Sequence, residues 1–193
     1  MITAIILAAG QSKRMGRPKM LLPWGEGTVL SQVLTSFREA GLEDILVVTG
    51  GAREQVESVI SHFKVIAIYN EQFTQGDMLS SIQCGIRALT HQTQAVLIGL
   101  GDQPQVQVGS VRAVCDAYRE SKSNIVVPSF NMRRGHPWLV GRSLFDGLMA
   151  IKPPQSPRFF LNAHLRQIQY VNVDDPGILA DLDTPEDYLK WKP

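Results

Sequence analysis

Ile5-Ile6-Leu7-Ala8-Ala9-Gly10-Gln11-Ser12-Lys13-Arg14-Met15-Gly16-Arg17-Pro18-Lys19 joins an apolar strand to a small, basic loop. The run from Thr3 to Leu7 has the composition of a buried strand. Ala8, Ala9 and Gly10 then remove side-chain bulk where that strand ends, so a ligand can approach the main chain there. Lys13, Arg14, Arg17 and Lys19 follow in a chain whose net charge is only +1, so the local excess is not general basicity. This strand and anion cradle open a chain whose β/α alternation, set out below, predicts a parallel, doubly wound α/β sheet with its ligand at the carboxyl ends of the strands.

Phosphate is the anion the loop suits, but its spacing excludes two common phosphate loops. Gly10 and Gly16 stand one residue too far apart for a Walker A loop, and Gly16 is followed by Arg17-Pro18 rather than Lys-Ser or Lys-Thr. No G-x-G-x-x-G dinucleotide fingerprint follows the strand.

The 193 residues, 44% hydrophobic and 19% charged, suit one compact α/β domain over residues 1–193. The near-neutral balance argues against nucleic acid, whose phosphates call for a broad basic face. Cys84 and Cys115 lie far apart and outside any C-x-x-C or Cys/His cluster, so neither a zinc site nor a disulfide is expected and both read as small buried hydrophobes. The N-terminus enters a strand without a charged n-region, and no apolar run reaches about 18 residues. A cytoplasmic protein with no membrane segment is expected.

Along the chain, Met20–Trp24 reads as extended and carries Lys19 back across the loop. Thr28 caps a helix through Phe37 that ends at Gly41. Strands are predicted at Glu43–Thr49 and Val65–Tyr69, with a helix between them from about Glu54 to His62. Gly76-Asp77 opens a helix with its stripe at Ile82, Ile86 and Leu89. Ala95–Leu100 is a strand that runs into Gly101-Asp102-Gln103-Pro104, followed by a helix over Val108–Tyr118 and a strand at Ile125–Pro128. Arg134-Gly135-His136-Pro137-Trp138 leads into an antiparallel strand that departs from the β/α alternation. Helices around Arg142–Ala150 and Phe159–Leu165 flank a Pro-rich break at 152–157; a strand at Ile168–Val173 and a terminal helix at Thr184–Trp191 complete the chain.

Asp102 is the leading candidate ligand for a magnesium ion, being a carboxylate placed directly after a buried strand. Asp181 and Asp183 fall on one side of an extended segment and offer a second carboxylate, with Asp183 preferred. Thr184 and Asp187 are explained by helix capping. His136 reads equally as an acceptor-binding residue and as a structural histidine. Arg133 and Arg134 suit either an acceptor phosphate or a solvated turn, and Trp138, Phe159 and Phe160 suit packing.

The ordered set LAAGQSKRMGRPK, GDMLSSI, GDQP, RGHP and DLDTPEDY, beginning at Leu7, Gly76, Gly101, Arg134 and Asp181, resembles the molybdenum cofactor cytidylyltransferase branch of the nucleotidyltransferases. The resemblance implies a glycosyltransferase-A-like fold: three-layer α/β/α with a mostly parallel, Rossmann-like sheet and an antiparallel insertion. It implies an enzyme that moves CMP from CTP onto the terminal phosphate of molybdenum cofactor with Mg2+ and releases pyrophosphate, with a molybdoenzyme as possible partner. Leu7, Ala8, Ala9, Gly10, Ser12, Arg14, Met15, Gly16 and Lys19 would enclose the nucleotide phosphates, with Gly76 and Ser81 beside base and ribose. Lys19, Arg14 and Asp102 would carry catalysis, and Asp102 with Asp183 the metal. Ala9 makes L-A-A-G, the cytidylyl form, where guanylyltransferase relatives show L-A-G-G. His136, Arg134 and Arg158 are the acceptor candidates. Many relatives carry a G-D-x-G-A-R-like segment where this chain has Pro153-Pro154-Gln155-Ser156-Pro157-Arg158, which leaves the acceptor open. The alternatives are a transferase using GTP or a sugar or alcohol phosphate, and a non-catalytic cofactor chaperone.

Overall fold

The computed structural model describes residues 1–75, 78–121 and 123–193. Its strands are β1 (Ile2–Ala8), β2 (Pro23–Trp24), β3 (Gly27–Thr28), β4 (Asp44–Thr49), β5 (Ile66–Tyr69), β6 (Ala95–Leu100), β7 (Ile125–Phe130), β8 (Arg133–Arg134), β9 (Trp138–Gly141) and β10 (Ile168–Asn172). Its helices are α1 (Val29–Glu39), α2 (Arg53–Ile60), α3 (Met78–Arg87), α4 (Val108–Ser121), α5 (Phe145–Ala150), α6 (Pro157–Ala163) and α7 (Pro185–Trp191).

Eight strands form one mixed sheet in the order β10-β7-β9-β6-β1-β4-β5, with β8 paired to β7, while β2 and β3 make a separate hairpin. β1 lies parallel between β4 and β6. β9 is antiparallel to both β6 and β7, as expected from the break in alternation after Arg134. This is the three-layer, mostly parallel arrangement anticipated above.

The layers follow from the two-residue period of β1. Ala4, Ile6 and Ala8 face a core with Leu30, Leu34 and Phe37 of α1, Val56 of α2 and Val114 of α4. Ile5 and Leu7, with Ala9 beyond them, face the opposite core with Leu79 and Ile82 of α3, Leu148 of α5 and Phe160 of α6. Burying both faces leaves the carboxyl ends of the strands as the open edge where side chains meet a ligand. Among the described residues no helix is long and apolar enough to cross a membrane.

Several boundaries differ from expectation. Met20–Trp24 is not one extended segment: Pro18, with φ −60°, starts a 3-10 turn at Lys19–Leu21, closed by the Leu21 and Leu22 N–H groups on the Pro18 and Lys19 carbonyls, before β2 begins. Leu89 lies past the end of α3 and packs against the core from a turn. Pro157 occupies the first turn of α6, which moves that helix to begin two residues earlier than expected. Phe159 is exposed rather than packed, and Cys84 is half-buried while Cys115 is buried. The capping expectations at Thr28 and Thr184 hold: Thr28 exchanges bonds with Ser31, and Thr184 with Asp187. Gly76 and Asp77 lie outside the described residues.

Candidate active site

The loop after β1 is shaped by its own main chain. Ser12 and Gly16 take left-handed φ values of 51° and 68°, and the Ser12 hydroxyl accepts the Lys19 N–H at 3.0 Å. The side chain of Met15 is buried with Leu22, Trp24, Val29, Leu182 and Tyr188, pinning the loop to the C-terminal segment. The Tyr188 hydroxyl completes this clamp by donating to the Pro23 carbonyl.

Lys19 is thereby brought between two carboxylates. Its Nζ is ion-paired with Asp102, which leaves the end of β6, and lies 3.1 Å from Asp183 Oδ1. Arg14 Nη2 reaches the other Asp183 oxygen at 2.7 Å. The Lys19 and Asp102 side chains are only 11% and 13% exposed, so their pairing is shielded from solvent, whereas Arg14 is 70% exposed. Burial works against the Lys19 ammonium, yet Asp102 and then Asp183 outweigh it and hold its pKa above the ordinary lysine value. Burial alone would raise the Asp183 carboxyl, but Lys19 and Arg14 hold it below the usual range. Asp181 is pushed up by burial and by the like charges of Asp102 and Asp183, and is partly relieved by Gln103 Nε2, which donates to its Oδ1 at 2.9 Å.

These groups edge a cavity of about 450 Å3 at the carboxyl ends of β1 and β6. Leu7, Ala9, Gly10, Ser12, Arg14, Met15, Lys19, Ser81, Asp102 and Asp183 line it together with Asp181, as the expected set requires. Ala8 and Gly16 do not. Ala8 points to the α1 side of the sheet, where it is 2% exposed, and Gly16 is the left-handed C-cap of the loop's 3-10 turn. Lys13, which stands outside the expected nucleotide set, is on the lining, and Gly76 falls outside the described residues.

A second cavity of about 620 Å3 adjoins the first, with Met78, Leu100 and Asp181 common to both. Arg134, His136 and Arg158, the expected acceptor set, line it. Arg134 is held by Asn162 Oδ1 at 3.2 Å. The His136 ring tilts against Trp138 at 5.8 Å, and its Nε2 is buried without a hydrogen-bond partner. Burial, then the charge of Arg158, lowers its pKa to about 4, so the ring is neutral at neutral pH.

Sequence reasoning passed over the residues that support this edge. Gln105 Nε2 donates to the Gly177 and Ala180 carbonyls, and buried Asp175 accepts from Gln107 N–H, the Ser110 hydroxyl and Gly177 N–H. The segment after β6 thus grips 175–181 and presents Asp181 and Asp183. Asn70 Nδ2 donates to the Ser80 and Ser81 hydroxyls at 3.1 Å, fixing the start of α3. Gly50 is required by close approach: a Cβ there would meet the Ala9 carbonyl at 2.6 Å and the Ala9 methyl at 2.8 Å. The available signal was position, since Gly50, Asn70 and Gly101 each follow the end of a parallel strand.

Among the described residues no group of three His, Cys, Asp or Glu side chains converges in metal-holding geometry. Asp102 and Asp183 nonetheless supply hard oxygen ligands beside one cavity. That donor set fits a divalent cation that takes its other ligands from water and phosphate.

A doubly covered, mostly parallel sheet carrying a cationic loop and paired aspartates at its ligand edge is the framework of a nucleotidyltransferase. The family model described as "MobA-like NTP transferase domain" matches residues 4–168, and the chain belongs to that family. It is 28% identical to molybdenum cofactor cytidylyltransferase of Escherichia coli (strain K12), covering 99% of this chain and 95% of that one. It is 27% identical to nicotine blue oxidoreductase of Paenarthrobacter nicotinovorans, over 96% and 93%. The crystal structure of Rv0371c from Mycobacterium tuberculosis H37Rv superposes with a TM-score of 0.86 at 28% identity, covering 98% of this chain and 96% of that one. The same protein solved in complex with manganese gives 0.79 at 26%, over 99% and 97%.

Proposed function

We propose that this nucleotidyltransferase moves CMP from CTP onto the terminal phosphate of molybdenum cofactor with Mg2+ and releases pyrophosphate. The observation that carries the reading is Lys19, whose ammonium stands between Asp102 and Asp183 at the edge of the loop cavity, with Arg14 on the far side of Asp183. The E. coli relative supports CTP and the cofactor as substrates, and the L-A-A-G form at Leu7–Gly10 agrees with it. The manganese complex of the mycobacterial protein supports a divalent ion.

An acceptor phosphate oxygen attacks the α-phosphorus of CTP, the bond to the bridging oxygen of the β-phosphate breaks, and that electron pair leaves with pyrophosphate. The nucleophile is already ionised at neutral pH, so no general base is required, and neutral His136 is consistent with this. Lys19 and Arg14 neutralise charge that builds on the α-phosphate and the leaving group. Asp102 and Asp183 would hold the Mg2+, which would neutralise triphosphate charge. The adjoining cavity, with Arg134, His136 and Arg158, takes the acceptor, and its continuity with the first cavity at Met78, Leu100 and Asp181 supports this reading. The protein works in the cytoplasm and passes its product to a molybdoenzyme.

Purified protein supplied with CTP, Mg2+ and molybdenum cofactor should release pyrophosphate and form the cytidine dinucleotide of the cofactor. Product with GTP alone, or only with a sugar or alcohol phosphate, would overturn the substrate assignment. CTP binding with no pyrophosphate release from any acceptor would favour a cofactor chaperone.

A further inference from the structure

The hairpin of β7 and β8 reverses in two residues, because Phe130 pairs directly with Arg133. Both loop residues carry positive φ, 48° at Asn131 and 61° at Met132. Two-residue hairpins of this hand favour asparagine followed by glycine, since a Cβ in the second left-handed position crowds the backbone. Met132 therefore holds a strained conformation, and at 97% exposure it gains no packing inside the chain in return. A large apolar side chain kept in strain without internal contacts points to something outside the chain.

Its place suggests what. Met132 lines the 620 Å3 cavity together with Arg133, Arg134, Arg158 and Leu161. Those cations suit an anionic group. The unpartnered His136 Nε2 suits the hydrogen-bonding edge of a ring, and Leu161 with Ile178 suits its face. We propose that Met132 is an acceptor-specificity residue whose thioether covers the exposed face of a planar heteroaromatic acceptor seated in this cavity. Thioether sulfur packs well against aromatic rings, and an unbranched side chain adapts to the ligand's outline. The inference rests on reading this cavity as the acceptor site.

Met132→Gly relieves the turn and removes the cover. Its thermal midpoint should rise by about 2 °C. Its KM for molybdenum cofactor should rise about tenfold, the worth of one buried apolar side chain. CTP affinity by titration calorimetry should stay at the wild-type value, and Met132→Leu, which keeps an apolar cover, should keep a near wild-type acceptor KM. An unchanged acceptor KM in Met132→Gly would overturn the proposal while the transferase reading stands. A wild-type protein that transfers CMP to no acceptor would remove that reading and this assignment with it.

Discussion

Lys19 Nζ lies 3.1 Å from Asp183 Oδ1 although the two residues are 164 positions apart. The same ammonium also pairs with Asp102, so it bridges two carboxylates that would otherwise repel each other, and Arg14 supplies the second positive charge on Asp183. Lys19→Ala should reduce kcat about 10²- to 10³-fold, the usual cost of losing one preorganised charge at a reacting centre. Steady-state pyrophosphate release checks this, with circular dichroism verifying the fold. A near-normal rate would remove Lys19 from the mechanism.

The pH dependence of this cluster has a definite direction. Asp183 is held below its ordinary pKa, so its contribution to stability is present above the unfolded carboxylate value and is lost as pH falls through the lower folded one. Lys19 is held above its ordinary pKa, so its contribution is present below the unfolded lysine value and is lost as pH rises through the higher folded one. Urea midpoints should therefore be flat around neutrality for this pair and fall at both extremes. In Lys19→Met the alkaline fall should shrink.

His136 adds an acid-side effect of its own. With a folded pKa of about 4 against an ordinary value of 6.5, the unfolded chain takes up the proton first, so stability declines as pH falls through that window. The decline should amount to about 2–3 kcal/mol between pH 7 and pH 4. His136→Gln should lose this part, as measured by urea unfolding at the two pH values. Because the ring is already neutral, the kcat profile should show no break near pH 6.5.

Asp175 tests the scaffold behind the site. Replacing it with alanine leaves the Gln107 N–H, the Ser110 hydroxyl and the Gly177 N–H without their acceptor. A loss on the order of 3 kcal/mol is expected by urea denaturation. The turn that delivers Asp181 and Asp183 is held by the same bonds, so turnover at saturating CTP should fall as well.

Ala9 tests the base. Ala9 lines the 450 Å3 cavity proposed for the nucleotide, and its methyl group packs where a Cβ on Gly50 would collide. Ala9→Gly should widen this wall and lower the preference for CTP over GTP by about three- to tenfold, in keeping with the small energy of one methyl group. Competition binding with the four nucleoside triphosphates measures it. An unchanged ratio would place base selection elsewhere.

The fold was legible wherever the signal was local. The apolar run of β1, the Thr28 and Thr184 caps, and the apolar run Ala95–Leu100 each carry their meaning within a short stretch of chain. So did the loop, whose cations crowd into seven positions between Lys13 and Lys19. The grip of Gln103 and Gln105 on 177–181 was not legible, because each hydrogen bond spans more than seventy residues and leaves no periodic mark. The same is true of Met132: positive φ depends on how β7 and β8 register, and asparagine followed by methionine does not announce a tight turn.

The clamp between Tyr188 and Pro23 also has a bearing on synthesis. Every strand of the large sheet precedes Asp174 in the chain, while Asp183 and Tyr188 follow it. On the ribosome the strands can therefore pair, and the core on the α3 side can close, while Arg14 and Lys19 still lack Asp183 and the core on the α1 side still lacks Ile178. An emerging chain thus acquires its strands before the ion pairs that fix its basic loop.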